Sequence, residues 1–185
     1  MVDYTISSIS RFRIYFYAAL MSFLIVSFIN FGNFNIIGID VRAPSAFIIY
    51  IFIFEIYDKY LWNKRPFKWL HDIPDLNREY TVTVIQADSG KTNQFSGFIK
   101  QTFTKIQVQI ERSKSISRVT TASLDLSTPG SEVLKFSYRH EPRVADLNGH
   151  NQGDGFQTLF ITQENMQGTC FSTWCRSATV IFSKI

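Results

Sequence analysis

From Ile14 to Ile39 the chain carries no charged side chain, and no other feature of the sequence limits its folding as much. Ile14 to Phe31 reads IYFYAALMSFLIVSFINF, enough α-helix to cross roughly 27 Å of hydrocarbon. A second apolar run, Ala46 to Tyr60, follows a connection containing Gly32, Gly38 and Pro44. Aromatic residues crowd the ends of both runs, where rings sit well at a membrane interface. The pattern predicts a membrane α-hairpin of two transmembrane helices within residues 1–62. Two buried helices of a soluble core are the competing arrangement, but no other segment is amphipathic enough to cover them. A cleavable signal peptide fits poorly, because no small-residue cleavage site follows the first run and a second apolar run does.

The charges around these runs set an expected orientation. Arg11 and Arg13 precede the first run, and Lys59, Lys64, Arg65 and Lys68 follow the start of the second, whereas the connection offers only Arg42. Basic residues stay on the cytoplasmic side, so a multi-pass segment with both termini cytoplasmic is expected. Glu55 and Asp58 interrupt the second run near its end. Asp58 fits the headgroup region, but Glu55 lies about a turn deeper, where an ionisable group must be paired, protonated or facing water. Two readings of Glu55 stand: a carboxylate snorkelling to the interface, or a polar contact between copies of the protein. Residues 63–75 form a basic juxtamembrane linker, with Lys64, Arg65, Lys68, Trp62 and Trp69 suited to membrane lipids and Pro66 and Pro74 breaking regular structure. The formal net charge is only +4. Much of it sits beside the apolar runs, which favours a membrane surface over DNA or RNA.

From Leu76 onward the apolar period changes to two. Strands are expected at Tyr80–Ala87, Phe95–Gln101, Thr104–Arg112, Ser115–Leu126, Glu132–His140, Phe156–Thr162, Met166–Ser172 and Ala178–Lys184. Ser89-Gly90 and Thr128-Pro129-Gly130 mark turns, and Glu141–Gly155 reads as a long loop. About eight antiparallel strands, with no helix to cover a sheet face, predict an all-β domain over residues 76–185 closed into a small β-barrel. Such a barrel holds packed side chains or one small ligand. Thr104, Ile106, Val108 and Ile110 share one strand face, and Leu134, Phe136, Tyr138 and His140 share another. Both rows pass from apolar to polar, so the walls are expected to run from a greasy floor to a hydrogen-bonding mouth. In Ser115–Leu126 the inward face stays open, since a one-residue slip exchanges the two sets. Cys170 and Cys175 fit no zinc or redox spacing, and a cytosolic barrel would keep them as free thiols.

The order of these elements resembles a known family. A two-span hairpin leads into a basic linker ending in Ile73-Pro74-Asp75-Leu76. Gln101-Thr102-Phe103-Thr104-Lys105-Ile106 follows, then spaced serines at Ser113, Ser115 and Ser117. After these come Leu134-Lys135-Phe136-Ser137-Tyr138, Glu141-Pro142, His150 near glycines, and Met166-Gln167-Gly168. Together these resemble the membrane-anchored β-barrel effectors of CBASS, the cyclic-oligonucleotide-based antiphage signalling systems of bacteria. The family's Gly-x-Trp opening of the first strand is replaced here by Asn77-Arg78-Glu79-Tyr80.

The resemblance implies a job and a place. A cognate nucleotidyltransferase makes a cyclic di- or oligonucleotide, and the barrel binds it. Self-association in the bacterial inner membrane and membrane disruption then give abortive infection. A receptor for such a ligand needs cations or N–H donors for phosphates and aromatic faces for bases. Thr104, Ser115, Ser117, Arg118, Tyr138 and His140 are the candidate ligand-binding residues, with Glu55 the polar group in the membrane. No Gly-rich phosphate loop, nucleophile elbow or compact metal pattern is present, so no enzyme activity, metal or cofactor is expected. The alternative is a membrane-tethered, lipocalin-like barrel for an apolar small molecule. The interior separates the two: convergent cations and donors favour a nucleotide, an unbroken aliphatic lining a lipid.

Overall fold

The computed structural model describes residues 1–7, 10–31, 35–36, 39–40, 45–112, 115–128, 130–142, 153–162, 165–173 and 175–185. Two compact units divide the chain: residues 9–73, and residues 1–8 together with 74–185.

In the first unit, α1 (Ser10–Phe31) is followed by a two-stranded ribbon of β2 (Asn35–Ile36) and β3 (Ile39–Asp40) and by α2 (Ala46–Ile56). Ser45 caps α2, its hydroxyl accepting from the Ile48 amide at 3.4 Å. A π-helical turn at Tyr57–Leu61 prolongs α2, and the short helix α3 (Arg65–Lys68) follows. Arg11–Phe31 is long and apolar enough by length and composition to cross a membrane, the one such helix among the described residues. Ala46–Leu61 is shorter, spanning about 24 Å. Ile14, Ala18 and Ser22 form one buried stripe, and the Ser22 hydroxyl donates back to the Ala18 carbonyl at 2.6 Å. Small residues at this spacing let helices approach closely. Tyr15 and Phe54 meet at 5.3 Å between ring centroids. The remaining faces are apolar and uncovered: Phe12, Phe16, Phe23, Phe28 and Phe31 are 56–92% exposed, and α2 buries no residue. A helix of a soluble core would be mostly buried.

The second unit is a closed barrel of nine strands, ordered β1-β6-β5-β4-β11-β10-β9-β8-β7. Its strands are β1 (Val2–Ile6), β4 (Arg78–Gln86), β5 (Thr92–Gln101), β6 (Lys105–Glu111), β7 (Ser115–Asp125), β8 (Val133–Pro142), β9 (Gly153–Ile161), β10 (Asn165–Ser172) and β11 (Cys175–Lys184). The eight expected strands are all present as β4–β11, within about three residues at each end. Gly90 closes the β4–β5 turn at φ +63°, donating to the Gln86 carbonyl at 3.0 Å.

The ninth strand corrects the sequence reading, which gave residues 1–62 to the membrane region. Val2–Ile6 is a barrel strand. β6 and β7 pair only between Gln109–Glu111 and Ile116–Arg118, then part. β1 fills the wedge, running antiparallel to β6 at Val2 and Asp3 and parallel to β7 at Tyr4–Ile6. Tyr4 is 1% exposed and its hydroxyl donates to the Phe103 carbonyl at 3.2 Å. Gln101 donates to that hydroxyl through Nε2 at 3.1 Å and accepts from the Leu76 amide at 3.0 Å. Ser7 then bonds Asp125 at 2.8 Å. Asp125 also accepts from the Ser127 hydroxyl and amide, and these bonds with that of Ser7 hold its carboxyl at about 2.

The chain thus leaves the barrel after Ser7 and rejoins it at Pro74, both at the end that carries the β5–β6, β7–β8 and β9–β10 turns. That end is called the root, and the opposite one the mouth. The open question of the Ser115–Leu126 face resolves through a bulge between Val119 and Thr121. Ser115, Ser117 and Val119 point inward before it, and Ala122 and Leu124 after it. The extra residue exchanges faces midway, so no single period-two register could describe the strand.

Candidate functional site

The inward rows grade from apolar to polar. At the root, Tyr80, Ile99, Ile106, Leu124, Leu134, Leu159, Met166 and Phe182 are all at most 4% exposed. The Tyr80 hydroxyl donates to the Leu76 carbonyl at 3.1 Å, and burial pushes its phenol up to about 12. Toward the mouth the same rows end in Gln86, Asn93, Arg112, His140 and Ser172. These enclose a cavity of about 190 Å³ whose wall also includes Phe95, Tyr138 and Cys170.

Of the residues expected from sequence, Tyr138 and His140 on β8 line this cavity, and Ser115 and Ser117 lie beside them on the neighbouring strand β7. Ser115 and Ser117 are buried, and Ser117 Oγ lies 2.9 Å from His140 Nδ1, the two residues being register partners. Tyr138 lies one step down the same row, its hydroxyl 2.9 Å from Cys170 Sγ. Burial first, and then the neighbouring thiol, raise its phenol well above the usual range. The ring leans over Gly155, its register partner on β9, and a Cβ there would collide with it.

The other three lie elsewhere. Arg118 faces outward with its guanidinium 3.2 Å from Glu141, both side chains well exposed. Thr104 sits in the β5–β6 turn at the root, where its carbonyl accepts from the Tyr4 amide at 3.3 Å. β6 and β8 both run from root to mouth, so Thr104 and His140 end their rows at opposite ends of the barrel. Glu55 is exposed on the helical unit and pairs with Lys59 at 2.5 Å, one helical turn on. Ser113 and His150 lie outside the described residues.

Sequence reasoning missed Arg112. Its guanidinium lies over the Phe95 ring, 4.8 Å from the centroid, and its Nε is buried with no hydrogen-bond partner. It is the one charged residue among the described lining residues. Alternation carried the signal: Ile106, Val108 and Ile110 point inward, and Arg112 is the next step of that row. Gln86 continues Tyr80, Val82 and Val84 likewise, and Asn93 and Phe95 precede Gly97 and Ile99. A positive charge against an aromatic face, ringed by neutral donors and acceptors, can hold a phosphodiester and stack a base. Among the described residues no three His, Cys, Asp or Glu side chains group to hold a metal.

Comparison with curated proteins finds no match. Residues 71–180 match the family described as Cap15, cyclic dinucleotide receptor domain. That match takes in β4–β10, most of β11 and every described residue of the mouth, and the chain belongs to the Cap15 family of CBASS effectors.

Proposed function

We propose that the barrel mouth binds a cyclic dinucleotide and that the chain is a non-enzymatic membrane effector acting on that signal. One observation carries the reading: Arg112, the only charge among the described wall residues, lies on Phe95 with a buried N–H lacking an acceptor. A ligand phosphate supplies that acceptor. Phe95 and Tyr138 offer ring faces to a base, and Ser117 with His140 offers edge hydrogen bonds. Ser115, Ser117, Tyr138 and His140 keep the ligand role expected for them, and Arg112 takes the place of Arg118 as the cation. The cavity of about 190 Å³ is below the roughly 300–1,000 Å³ that encloses a whole drug-sized ligand. The whole ligand therefore does not fit inside, and part of it lies across the rim. An apolar small molecule would leave the guanidinium without a counter-charge, which disfavours the lipocalin-like alternative.

The helical unit forms the membrane anchor. Its exposed Phe-rich faces call for lipid, and the barrel supplies a topological argument for two spans. Because β1 precedes α1 and pairs within the same barrel as β4–β11, the chain between Ser7 and Pro74 must return to the side it left. The number of crossings is even, so α1 cannot span alone, and α2 with its π turn is the return span. A segment of about 24 Å in a hydrocarbon core of about 30 Å thins the bilayer locally. Both termini then share one side, the cytoplasmic face of the inner membrane by the distribution of Arg11, Arg13, Lys64, Arg65 and Lys68.

Ligand shifts the protein toward an assembled, membrane-disrupting state only by binding that state more tightly. Self-association of the short, apolar hairpins then breaches the bilayer, which ends the infected cell. The test is dye release from liposomes carrying the full-length protein. A cyclic dinucleotide triggers release from wild type and not from Arg112→Gln. Silence toward every cyclic dinucleotide, with the barrel folded, refutes the proposal.

A further inference from the structure

The turn that follows α2 carries three cations that the ligand site does not use. Lys64, Arg65 and Lys68 are exposed, and among the described residues none of the three is ion-paired. Trp69 beside them is 75% exposed and Tyr60 66%. This is a built surface, because the turn is held from beneath. Trp62 is 1% exposed, and its carbonyl accepts from His71 Nε2 at 2.8 Å. His71 Nδ1 accepts from the Ile73 amide at 3.2 Å. Phe67 packs edge-on against Tyr57 at 6.0 Å between ring centroids. Both ends of the turn are thereby fixed, and its cations and Trp69 remain outside. Ile14 of α1 shares an apolar pocket with Phe67 and Leu70, which puts the first turn of α1, with exposed Arg13, at the same end of the helical unit.

Three neighbouring cations repel one another unless an anion sits among them. An exposed indole next to them is out of place in bulk water and well placed at a lipid headgroup boundary. We propose that Lys64, Arg65 and Lys68, with Trp69 as the aromatic anchor, form a docking surface for the phosphates of anionic phospholipids. The surface fixes the depth of the hairpin and gives it a preference for negatively charged bilayer. This rests on the membrane reading and is independent of the cyclic dinucleotide.

The full-length protein is reconstituted, without nucleotide, in phosphatidylcholine discs containing a minority of phosphatidylglycerol. Lipids retained on the protein are counted by native mass spectrometry, and Trp69 quenching, taken as the difference between wild type and Trp69→Phe, is compared for brominated phosphatidylglycerol and brominated phosphatidylcholine. Retained lipid is expected to be enriched in phosphatidylglycerol, by about fivefold for each contributing cation. The enrichment disappears in Lys64→Gln/Arg65→Gln/Lys68→Gln and survives in Lys64→Arg/Lys68→Arg. Trp69 is quenched more strongly by the anionic brominated lipid. Equal retention of both lipids by wild type overturns the proposal, as does enrichment unchanged in the triple variant. Displacement of the lipid by inorganic phosphate at matched concentration overturns it in favour of a free-anion site. If the triple variant does not fold, wild-type quenching decides: equal quenching by both lipids overturns the surface. A chain that enters discs without lipid preference contradicts this surface alone, and one that fails to enter contradicts the membrane reading as well.

Discussion

Truncating Tyr4 probes the least expected element of the fold. Its ring is 1% exposed in the wedge between β6 and β7, and its hydroxyl bridges the Phe103 carbonyl and Gln101 Nε2. Emptying a buried aromatic site to alanine costs about 3–5 kcal/mol. Tyr4→Phe keeps the ring and removes both buried hydrogen bonds of the hydroxyl, a cost of about 1–3 kcal/mol. Against a total stability of about 5–15 kcal/mol, the alanine variant should be visibly crippled. Native-state hydrogen exchange on the full-length protein in detergent reads this where it happens. Amides of Lys105–Ile106 and Ala122–Leu124, which face β1, should lose roughly 10²–10³-fold of their protection in Tyr4→Ala. The phenylalanine variant should fall between that and wild type. If Tyr4→Ala stays within about 0.5 kcal/mol of wild type, with exchange in β7 unchanged, Val2–Ile6 is not a barrel strand. The even-crossing argument for the hairpin then falls with it.

Three further outcomes follow from local geometry. Burial lowers His71 from its ordinary 6.5, outweighing the hydrogen bond to Trp62 that raises it. The unfolded chain therefore binds the extra proton first, and the stabilisation is full above about 6.5 and lost as pH falls through the lower folded value. The turn, followed by NMR of the buried Trp62 indole that His71 holds, should unfold at lower temperature on acidification in wild type and lose that dependence in His71→Gln. Gly155→Ala should cost about 1–3 kcal/mol and separate Tyr138 from Cys170, seen as a lowered Tm; an unchanged Tm with the Tyr138 ring in place would contradict the contact. Asp125 should titrate near 2 in the folded protein, and Ser127→Ala should raise that midpoint; a normal wild-type value would mean that the Ser7–Asp125–Ser127 cluster is not formed.

The barrel was legible because alternation is a local signal. β4–β6 and β8–β11 show the alternation in their own residues, and the turn at Ser89-Gly90 has the glycine that its positive φ requires. β1 was not legible, since Val-Asp-Tyr-Thr-Ile shows too short a pattern before an apolar run. Only the parting of β6 from β7, a tertiary event, creates its slot. The bulge at Thr120 hid the inward face of β7 by reversing it midway. Arg118 is a cation beside the serines in sequence, but that adjacency puts it on the opposite face from Ser117. Arg112 lies two residues beyond Ile110, the next step of the row that shares its strand face. Thr104 and His140 both end their rows in a polar residue, but β6 and β8 run in the same direction, so the two lie at opposite ends of the barrel, which a single strand's pattern does not reveal.

The central claim is that Arg112, stacked on Phe95 in the barrel mouth, receives a phosphodiester of a cyclic dinucleotide. Isothermal titration of cyclic dinucleotides into the detergent-solubilised full-length protein tests it directly. Wild type should bind at least one of them saturably. Arg112→Gln should weaken that binding by about 10- to 100-fold, as loss of a charge-assisted hydrogen bond does, and Arg118→Gln should leave it within about twofold. Binding that ignores Arg112 but fails with Arg118, or no binding of any cyclic dinucleotide to the folded barrel, would contradict the account.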